Sequence, residues 1–299
     1  MKLSILLVTY NQEKYIQECM DGLIIQNLPF EYEIIVADDY STDNTLAIIK
    51  DNLDRSKMNY TILPSQQNLG ISKNYKRAYQ ACQGEYIAIL EGDDYWTSPN
   101  RLLKHISFLD NHRECVLSFN QYISLYEESS KFIYPLSQQP TNDFEYISAN
   151  DMALGNKMGN LSTCVFRHAI LKKMDEKFFD MGFADWFLGL FLGQYGLLAK
   201  QKEPTSVYRK HLNGLWTGKV NNNLSQIMLP LIDLYNECLN FKYNEEFTQL
   251  KSHYMSANVG GKKISLYENL LSFMPPIVIL VVKSFIPVRI LRSIKKHVK

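Results

Sequence analysis

The sequence predicts an α/β fold, a mostly parallel sheet flanked by helices, and three observations carry that expectation. Short apolar runs alternate with segments of helical period as far as Leu90. The residues just after these runs are nearly all polar. The chain has 299 residues, of which 46% are hydrophobic, enough for one large core with a smaller layer added to it.

Leu3 to Val8 reads as a buried strand, followed by a helix from about Gln12 to Gln26 in which Tyr15, Cys19, Leu23 and Gln26 recur at helical spacing. Glu33 to Ala37 is a second strand, and Ser41, Thr42 and Asp43 supply capping groups for a helix carrying Leu46, Ile49 and Leu53. A third strand is expected at Tyr60 to Leu63, a third helix at Ile71 to Cys82 and a fourth strand at Tyr86 to Leu90. Strands alternating with helices in this way imply a doubly wound sheet. Beyond them, Ser98 to Asn111 reads as a helix, Cys115 to Tyr122 as a strand, and Glu127 to Asp143 as a polar loop broken by Pro135 and Pro140. Asn160 to Phe166 reads as a strand, with helices near His168 to Met174 and Ala184 to Tyr195. From Asn223 the pattern is helical.

Lys and Arg number 32 against 31 Asp and Glu, so no overall field points to a nucleic-acid partner. Five scattered cysteines without a Cys-x-x-Cys pair suit a reducing compartment and exclude zinc-ligand spacing. The apolar run from Ile5 to Val8 is too short for a signal peptide. His105 and His112 are expected at the surface, and Cys115 and Cys164 in the core.

In doubly wound sheets ligands bind beyond the carboxyl ends of the strands. Three such ends are polar here: Thr9-Tyr10-Asn11, Asp38-Asp39, and Glu91-Gly92-Asp93-Asp94. The last crowds three carboxylates into a turn, and a hard divalent cation shared with substrate phosphates would relieve their repulsion. The plainer alternative is a solvated acidic turn, which the strand-end position disfavours. Asp38 and Asp39 could cap the next helix, but Ser41, Thr42 and Asp43 suffice for that, so one of the pair is expected to face a ligand such as a nucleoside.

The ordered set Val8-Thr9-Tyr10-Asn11, Asp38-Asp39-x-Ser41-Thr42-Asp43, Asn68-x-Gly70-x-Ser72-x-Asn74, Gly84-Glu85-Tyr86-Ile87 and Glu91-Gly92-Asp93-Asp94-Tyr95-Trp96 resembles the inverting GT-A glycosyltransferases of family two, over roughly residues 1 to 217. The resemblance implies a GT-A (Rossmann-like) catalytic domain at 1–217; the remainder, which it does not cover, reads from its helical pattern as an extension at 218–299. The resemblance also implies a nucleotide-diphosphate-sugar donor, a UDP-sugar by expectation, and a divalent cofactor, Mn2+ or Mg2+. Thr9, Tyr10 and Asp39 would surround the base, Asp38 and Asn68 would lie near the nucleoside, and Lys73 would approach the donor. Glu91-x-Asp93 matches the Asp-x-Asp motif, with Glu91 near the ribose and Asp93 or Asp94 on the metal. Glu91 in place of Asp, and Lys73 where Arg is common, bear on donor geometry more than on reaction type.

Phe183-Ala184-Asp185-Trp186 resembles the acidic motif ahead of an acceptor-side helix, which makes Asp185 the implied general base; its plainer alternative is a helix N-cap. Tyr208-Arg209-Lys210-His211-x-Asn213-Gly214-x-Trp216 resembles the segment that closes over the donor diphosphate, with Arg209 offsetting leaving-group charge and His211 joining the metal or a phosphate. Two other classes were weighed: a nucleotide-sugar-binding protein without turnover, which would lack the base, and a nucleotidyltransferase, whose glycine-rich basic phosphate loop is missing after Val8. A nicotinamide dehydrogenase is excluded because no Gly-x-Gly-x-x-Gly turn follows the first strand.

Phe273 to Ile286 is apolar but too short and broken to span a bilayer. After it, Val288, Leu291, Ile294 and Val298 recur on one face and Arg289, Arg292, Lys296 and Lys299 on the other. That pattern suits a helix at an anionic leaflet, the alternative being a helix packed on the catalytic domain. The expectation is a cytoplasmic protein peripheral on the inner face of the plasma membrane, acting on a lipid-linked glycan acceptor.

Overall fold

A computed structural model describes residues 1–135, 143–181, 184–214 and 224–256. The expectations for Pro140, Phe183, Trp216 and the tail from Phe273 to Lys299 lie outside the described residues.

Four parallel strands, β1 (Leu3–Thr9), β2 (Tyr32–Asp38), β3 (Tyr60–Ile62) and β4 (Tyr86–Glu91), are joined through helices α1 (Ile16–Ile24), α2 (Thr45–Ser56) and α3 (Ile71–Ala81). Helix α4 (Arg101–Asn111) follows the two-residue strand β5 (Tyr95–Trp96). Next come β6 (Cys115–Tyr126), β7 (Lys131–Ile133), β8 (Phe144–Ile147), α5 (Ala149–Ala153), β9 (Cys164–Arg167), α6 (His168–Leu171), α7 (Asp185–Gly193) and β10 (Leu197–Lys210). Helices α8 (Leu224–Cys238) and α9 (Asn244–Ser256) complete the described chain.

The sheet runs β3-β2-β1-β4-β9-β6-β10-β5, with β7 on β6 and β8 on β10. It is mixed rather than mostly parallel: β9 lies antiparallel between β4 and β6, and β5 and β8 run antiparallel to β10. Strand direction does not show in hydrophobic period, and antiparallel neighbours need no crossover helix to announce them.

Both faces of the parallel half are covered, which is why its strands are continuously apolar. Leu3, Ile5 and Leu7 of β1 join the core under α1, α2 and α4. Leu6 and Val8 face the other way, into a core shared with α3, α5 and α7. Helices α8 and α9 enter that same core: the Trp186 ring lies 5.2 Å from Tyr235 and 6.2 Å from Phe247.

Two sequence expectations are corrected. His105 is buried, not at the surface; its ring nitrogens meet Ser118 Oγ at 2.8 Å and Asn120 Oδ1 at 3.3 Å. The site comes from the apolar face of α4, whose other members are Leu102, Ile106 and Leu109. The sequence reading places no strand at 197–210, because Lys200 to Pro204 hides the alternation of β10; a register shift between Gln201 and Ser206 absorbs the proline. Cys115 and Cys164 are buried as expected.

Candidate active site

The crevice lies where β1, β2 and β4 end. Thr9 is buried and donates from Oγ1 to Gln12 Oε1 at 2.7 Å, while the Tyr10 ring stands 45% exposed. Asn11 takes a left-handed backbone, φ 50°, and accepts from Thr42 N at 2.8 Å. The Asp38 carboxylate accepts from Ser41 N at 2.8 Å and Ser41 Oγ at 2.5 Å. Asp39 accepts from Leu69 N at 2.8 Å and Gly70 N at 2.9 Å. Both buried aspartates therefore fasten neighbouring loops at the strand ends. Asp43 accepts from Thr45 N at 3.0 Å ahead of α2. Asn68 and Lys73 are exposed on and beside the loop that Asp39 holds. Arg77, which the sequence reading passed over, donates to the Asp38 carbonyl at 2.6 Å, to Pro64 O at 2.7 Å and to Asn74 Oδ1 at 2.7 Å.

The acidic turn separates its three carboxylates. Glu91 is half-buried and accepts from the Tyr75 hydroxyl at 3.0 Å. Burial pushes its carboxyl well up, and the charges of Asp94 and Asp93 push it further. Gly92 leaves room for β1: a Cβ there would stand 2.3 Å from Gln12 Oε1 and 2.8 Å from Thr9 Oγ1. Asp93 remains partly exposed, its Oδ2 3.1 Å from His211 Nε2. Asp94, by contrast, is turned inward. Its Oδ2 accepts from Asn160 Nδ2 and Ser162 Oγ, each at 2.7 Å, and its Oδ1 accepts from Arg209 N at 2.9 Å. Burial and the Asp93 charge push it up to about 7 against those hydrogen bonds. With both oxygens engaged by the protein, Asp94 is a poor metal ligand, contrary to one of the two sequence alternatives.

Arg209 likewise departs from its expected place on the donor. Its guanidinium, 4% exposed, donates to Glu127 at 2.6 Å, to Glu18, and to the Asp93 carbonyl at 3.0 Å. It lies over the Tyr15 ring at 4.8 Å. Two carboxylates saturate the fork, so Arg209 braces the acidic turn against α1 and the end of β6. The His211 ring also packs on Tyr15, with centroids 4.7 Å apart.

Asp185 is the first residue of α7. The N-cap is Ala184, so the capping alternative does not hold. Asp185 Oδ2 accepts from Asn156 Nδ2 at 2.9 Å and Oδ1 from Trp186 N at 2.8 Å. Burial raises its carboxyl above the ordinary range although both bonds oppose this. Tyr208 feels all four acids: burial and the charges of Asp94, Glu91, Asp93 and Asp185, in that order, push its phenol up. The arrangement thus offers a partly exposed carboxylate backed by a buried imidazole, a half-buried glutamate and a carboxylate suited to proton abstraction. Sequence reasoning missed Tyr75, Asn156, Asn160, Ser162, Glu18 and Glu127; a short polar residue far along the chain gives no local signal of such contacts.

A mixed α/β sheet whose strand ends hold acids and an imidazole defines an enzyme-like crevice of the nucleotide-binding kind. The chain belongs to glycosyl transferase family 2, whose model matches residues 4–179. An uncharacterized protein of Mycobacterium tuberculosis is 34% identical over 214 residues, covering 72% of this chain and 60% of the relative, so the chain spans less than two thirds of that protein. The poly(ribitol-phosphate) beta-N-acetylglucosaminyltransferase TarS of Staphylococcus aureus is 36% identical over 119 residues, 39% of this chain and 20% of TarS. The crystal structure of TarS 1-349 with UDP-GlcNAc superposes with a TM-score of 0.62 at 21% identity, over 85% of this chain and 72% of that one. The mannosyltransferase PcManGT of Pyrobaculum calidifontis, in complex with GDP-Man and Mn2+, superposes with a TM-score of 0.55 at 13% identity, over 99% of this chain and 84% of that one. These structural likenesses establish the GT-A-like fold.

Proposed function

We propose that this chain is an inverting glycosyltransferase that moves a sugar, a hexosyl or N-acetylhexosaminyl unit, from a UDP-sugar to a hydroxyl of a lipid-linked glycan acceptor in surface-polysaccharide synthesis. The observation that carries the reading is the Asp93–His211 pair, 3.1 Å apart beyond the end of β4, together with Asp185 held by Asn156 at the start of α7. UDP and N-acetylglucosamine are suggested by the donor in the TarS crystal, and a polysaccharide-like acceptor by the name of that enzyme.

On this reading the donor lies across the strand ends. Tyr10 stacks on the base beside Thr9 and Asp39, and Asp38 and Asn68 border the nucleoside. Lys73 approaches from the loop mouth, and Glu91 lies near the ribose. Asp93 and His211 would hold a divalent cation, Mn2+ or Mg2+. The fit is chemical: the partly exposed Asp93 carboxylate and the buried His211 imidazole nitrogen stand 3.1 Å apart, an oxygen and nitrogen donor pair that suits such an ion. Such a cation would supply charge neutralisation for the departing diphosphate. Asp185 takes the acceptor proton as the hydroxyl attacks the anomeric carbon, and a single displacement inverts configuration. Every residue in these roles precedes 218, in keeping with a catalytic part at 1–217, although α8 and α9 of the proposed extension at 218–299 pack into the same core.

No helix among the described residues is long and apolar enough to cross a membrane. The basic, amphipathic pattern after Phe273 supports peripheral attachment to an anionic inner leaflet, and with it a lipid-linked acceptor. The test is a donor screen: the protein, Mn2+ and a panel of nucleotide sugars, with release of nucleotide diphosphate measured with and without a membrane lipid extract. Release from a UDP-sugar that rises with the extract is expected; no release from any donor overturns the reading.

A further inference from the structure

Beside Asp185 lies a groove of about 320 Å³ between β6 and the loop at 156–159. Its charged lining is Lys157 and Lys200, with no carboxylate among the described residues. Tyr122 and the 65% exposed Tyr134 supply aromatic faces. Asn156 joins the groove to the base, because the side chain that lines the groove also donates to Asp185. Tyr122 joins it to the acidic crevice: burial first, then the charges of Asp185 and Asp94, push its phenol up. Gly159, at φ +70°, makes space for that tyrosine, since a Cβ there would stand 2.9 Å from the Tyr122 hydroxyl oxygen.

Charge distinguishes the possible occupants. A neutral glycan needs only amides, hydroxyls and aromatic faces, and the groove already has them in Gln121, Asn156, Tyr122 and Tyr134. An anionic glycan would be repelled by the acids just beyond Asn156 unless its own site supplied cations, and Lys157 and Lys200 line this one. Neither lysine forms an ion pair with a described residue: Lys157 acts on Asp151 only through its charge, and Lys200 stands opposite Glu145 in the β8–β10 register, so both still contribute positive charge to the groove.

We infer that this groove holds an anionic stretch of the acceptor, sugar or polyol units bearing phosphate or carboxylate, with Lys157 and Lys200 on the negative oxygens and Tyr122 and Tyr134 against the ring faces. The inference rests on the glycosyltransferase reading, which makes Asp185 the base and the groove its acceptor side. The next hydroxyl along the acceptor is thereby presented to Asp185.

The experiment measures binding rather than turnover. Fluorescent ribitol-phosphate oligomer, oligogalacturonate and neutral maltooligosaccharide are titrated into the full chain with UDP and Mn2+ present, and UDP affinity is measured separately. At least one anionic probe should bind well above the neutral one, and the better of the two identifies phosphate or carboxylate as the charge. The double variant Lys157→Ala/Lys200→Ala should lose that binding by about tenfold per lysine, and salt should weaken what remains. Lys157→Arg/Lys200→Arg should retain it, and neither double variant should change UDP affinity. Equal binding of all three probes, absence of anionic binding, or an alanine variant that binds like wild type overturns the inference. Those outcomes leave UDP binding intact, whereas failure of the glycosyltransferase reading would appear as wild-type protein that does not bind UDP.

Discussion

Replacing Asp185 by asparagine separates chemistry from structure, because the two costs differ in size. The amide keeps the shape, and its oxygen can still accept from Trp186 N, now 2.8 Å from Oδ1. Its nitrogen would then meet Asn156 Nδ2, donor against donor. Asn156 cannot simply flip, because its Oδ1 already accepts from Met158 N and Gly159 N, both at 3.1 Å. One hydrogen bond is lost, about 1 kcal/mol, and the favourable charge at the start of α7 goes with it, about 0.5 kcal/mol. A stability loss near ~1.5 kcal/mol should lower Tm by only a few degrees. Loss of a general base costs roughly 100- to 10,000-fold in rate, or about 2.7 to 5.5 kcal/mol. Asp185→Asn should therefore bind UDP and donor like wild type and fold nearly as well, yet transfer at 1% or less of the rate, an order-of-magnitude expectation from general-base catalysis.

The same side chain sets a pH profile. Burial raises the Asp185 carboxyl, and a base acts only when deprotonated, so transfer should fall as pH drops through a value above the ordinary ~3.9 of aspartate. Asn156→Ala removes a bond that lowers this carboxyl, so the acidic limb should move to higher pH while the plateau rate survives. Single-turnover transfer across pH for wild type and both variants measures this. An Asp185→Asn enzyme within tenfold of wild type, or one that keeps the limb, would refute the assignment.

Asp93→Ala should abolish any rise in Tm on adding Mn2+ while the metal-free fold is unchanged, whereas Asp94→Ala should lower Tm even in chelator, since Asn160, Ser162 and Arg209 N lose their acceptor, roughly 3 kcal/mol or more. Arg209→Met should cost about 2–3 kcal/mol, below the usual figure for a broken buried pair because Glu18 is largely solvated and Lys14 still holds Glu127 at 3.0 Å. Burial pushes Glu127 up, but Arg209 and Lys14 outweigh it and hold the carboxyl low; that stability is present above the unfolded value of ~4.3 and is lost as pH falls through the folded one, so the thermal-melt gap between wild type and Arg209→Met should close in acid. Deleting Phe273 to Lys299 should end co-sedimentation with anionic liposomes and leave UDP affinity unchanged; a full-length chain indifferent to anionic lipid would count against the peripheral tail.

The parallel half of the sheet was readable in the sequence because each strand is apolar on both faces and each helix has one apolar stripe, so period alone marks them. In the other half β6 and β9 were readable as strands, but their direction was not, and β10 was hidden because it carries Lys200 to Pro204 through its middle. At the site, residue type indicated the chemistry but not the direction in which a side chain points. Asp93 and Asp94 are adjacent carboxylates in one turn, yet consecutive side chains leave the backbone on different sides, so one meets His211 and the other meets Asn160 and Ser162. Arg209 shows the same limit with opposite charge. An arginine near an expected diphosphate reads as an anion binder, but which anion it meets depends on Glu18, 191 positions away along the chain, and on Glu127. The brace they form also decides where charge is available to a ligand. With Arg209 neutralised from behind, the crevice keeps the carboxylate of Asp93 facing outward, and its net character is acidic. A diphosphate entering beside Asp93 meets a like charge, which a cation would offset. The proposed metal requirement thus rests as much on where Arg209 points as on the acidic motif itself, and on that proposal Arg209→Met should leave it unchanged, with transfer still lost on chelation and restored by Mn2+.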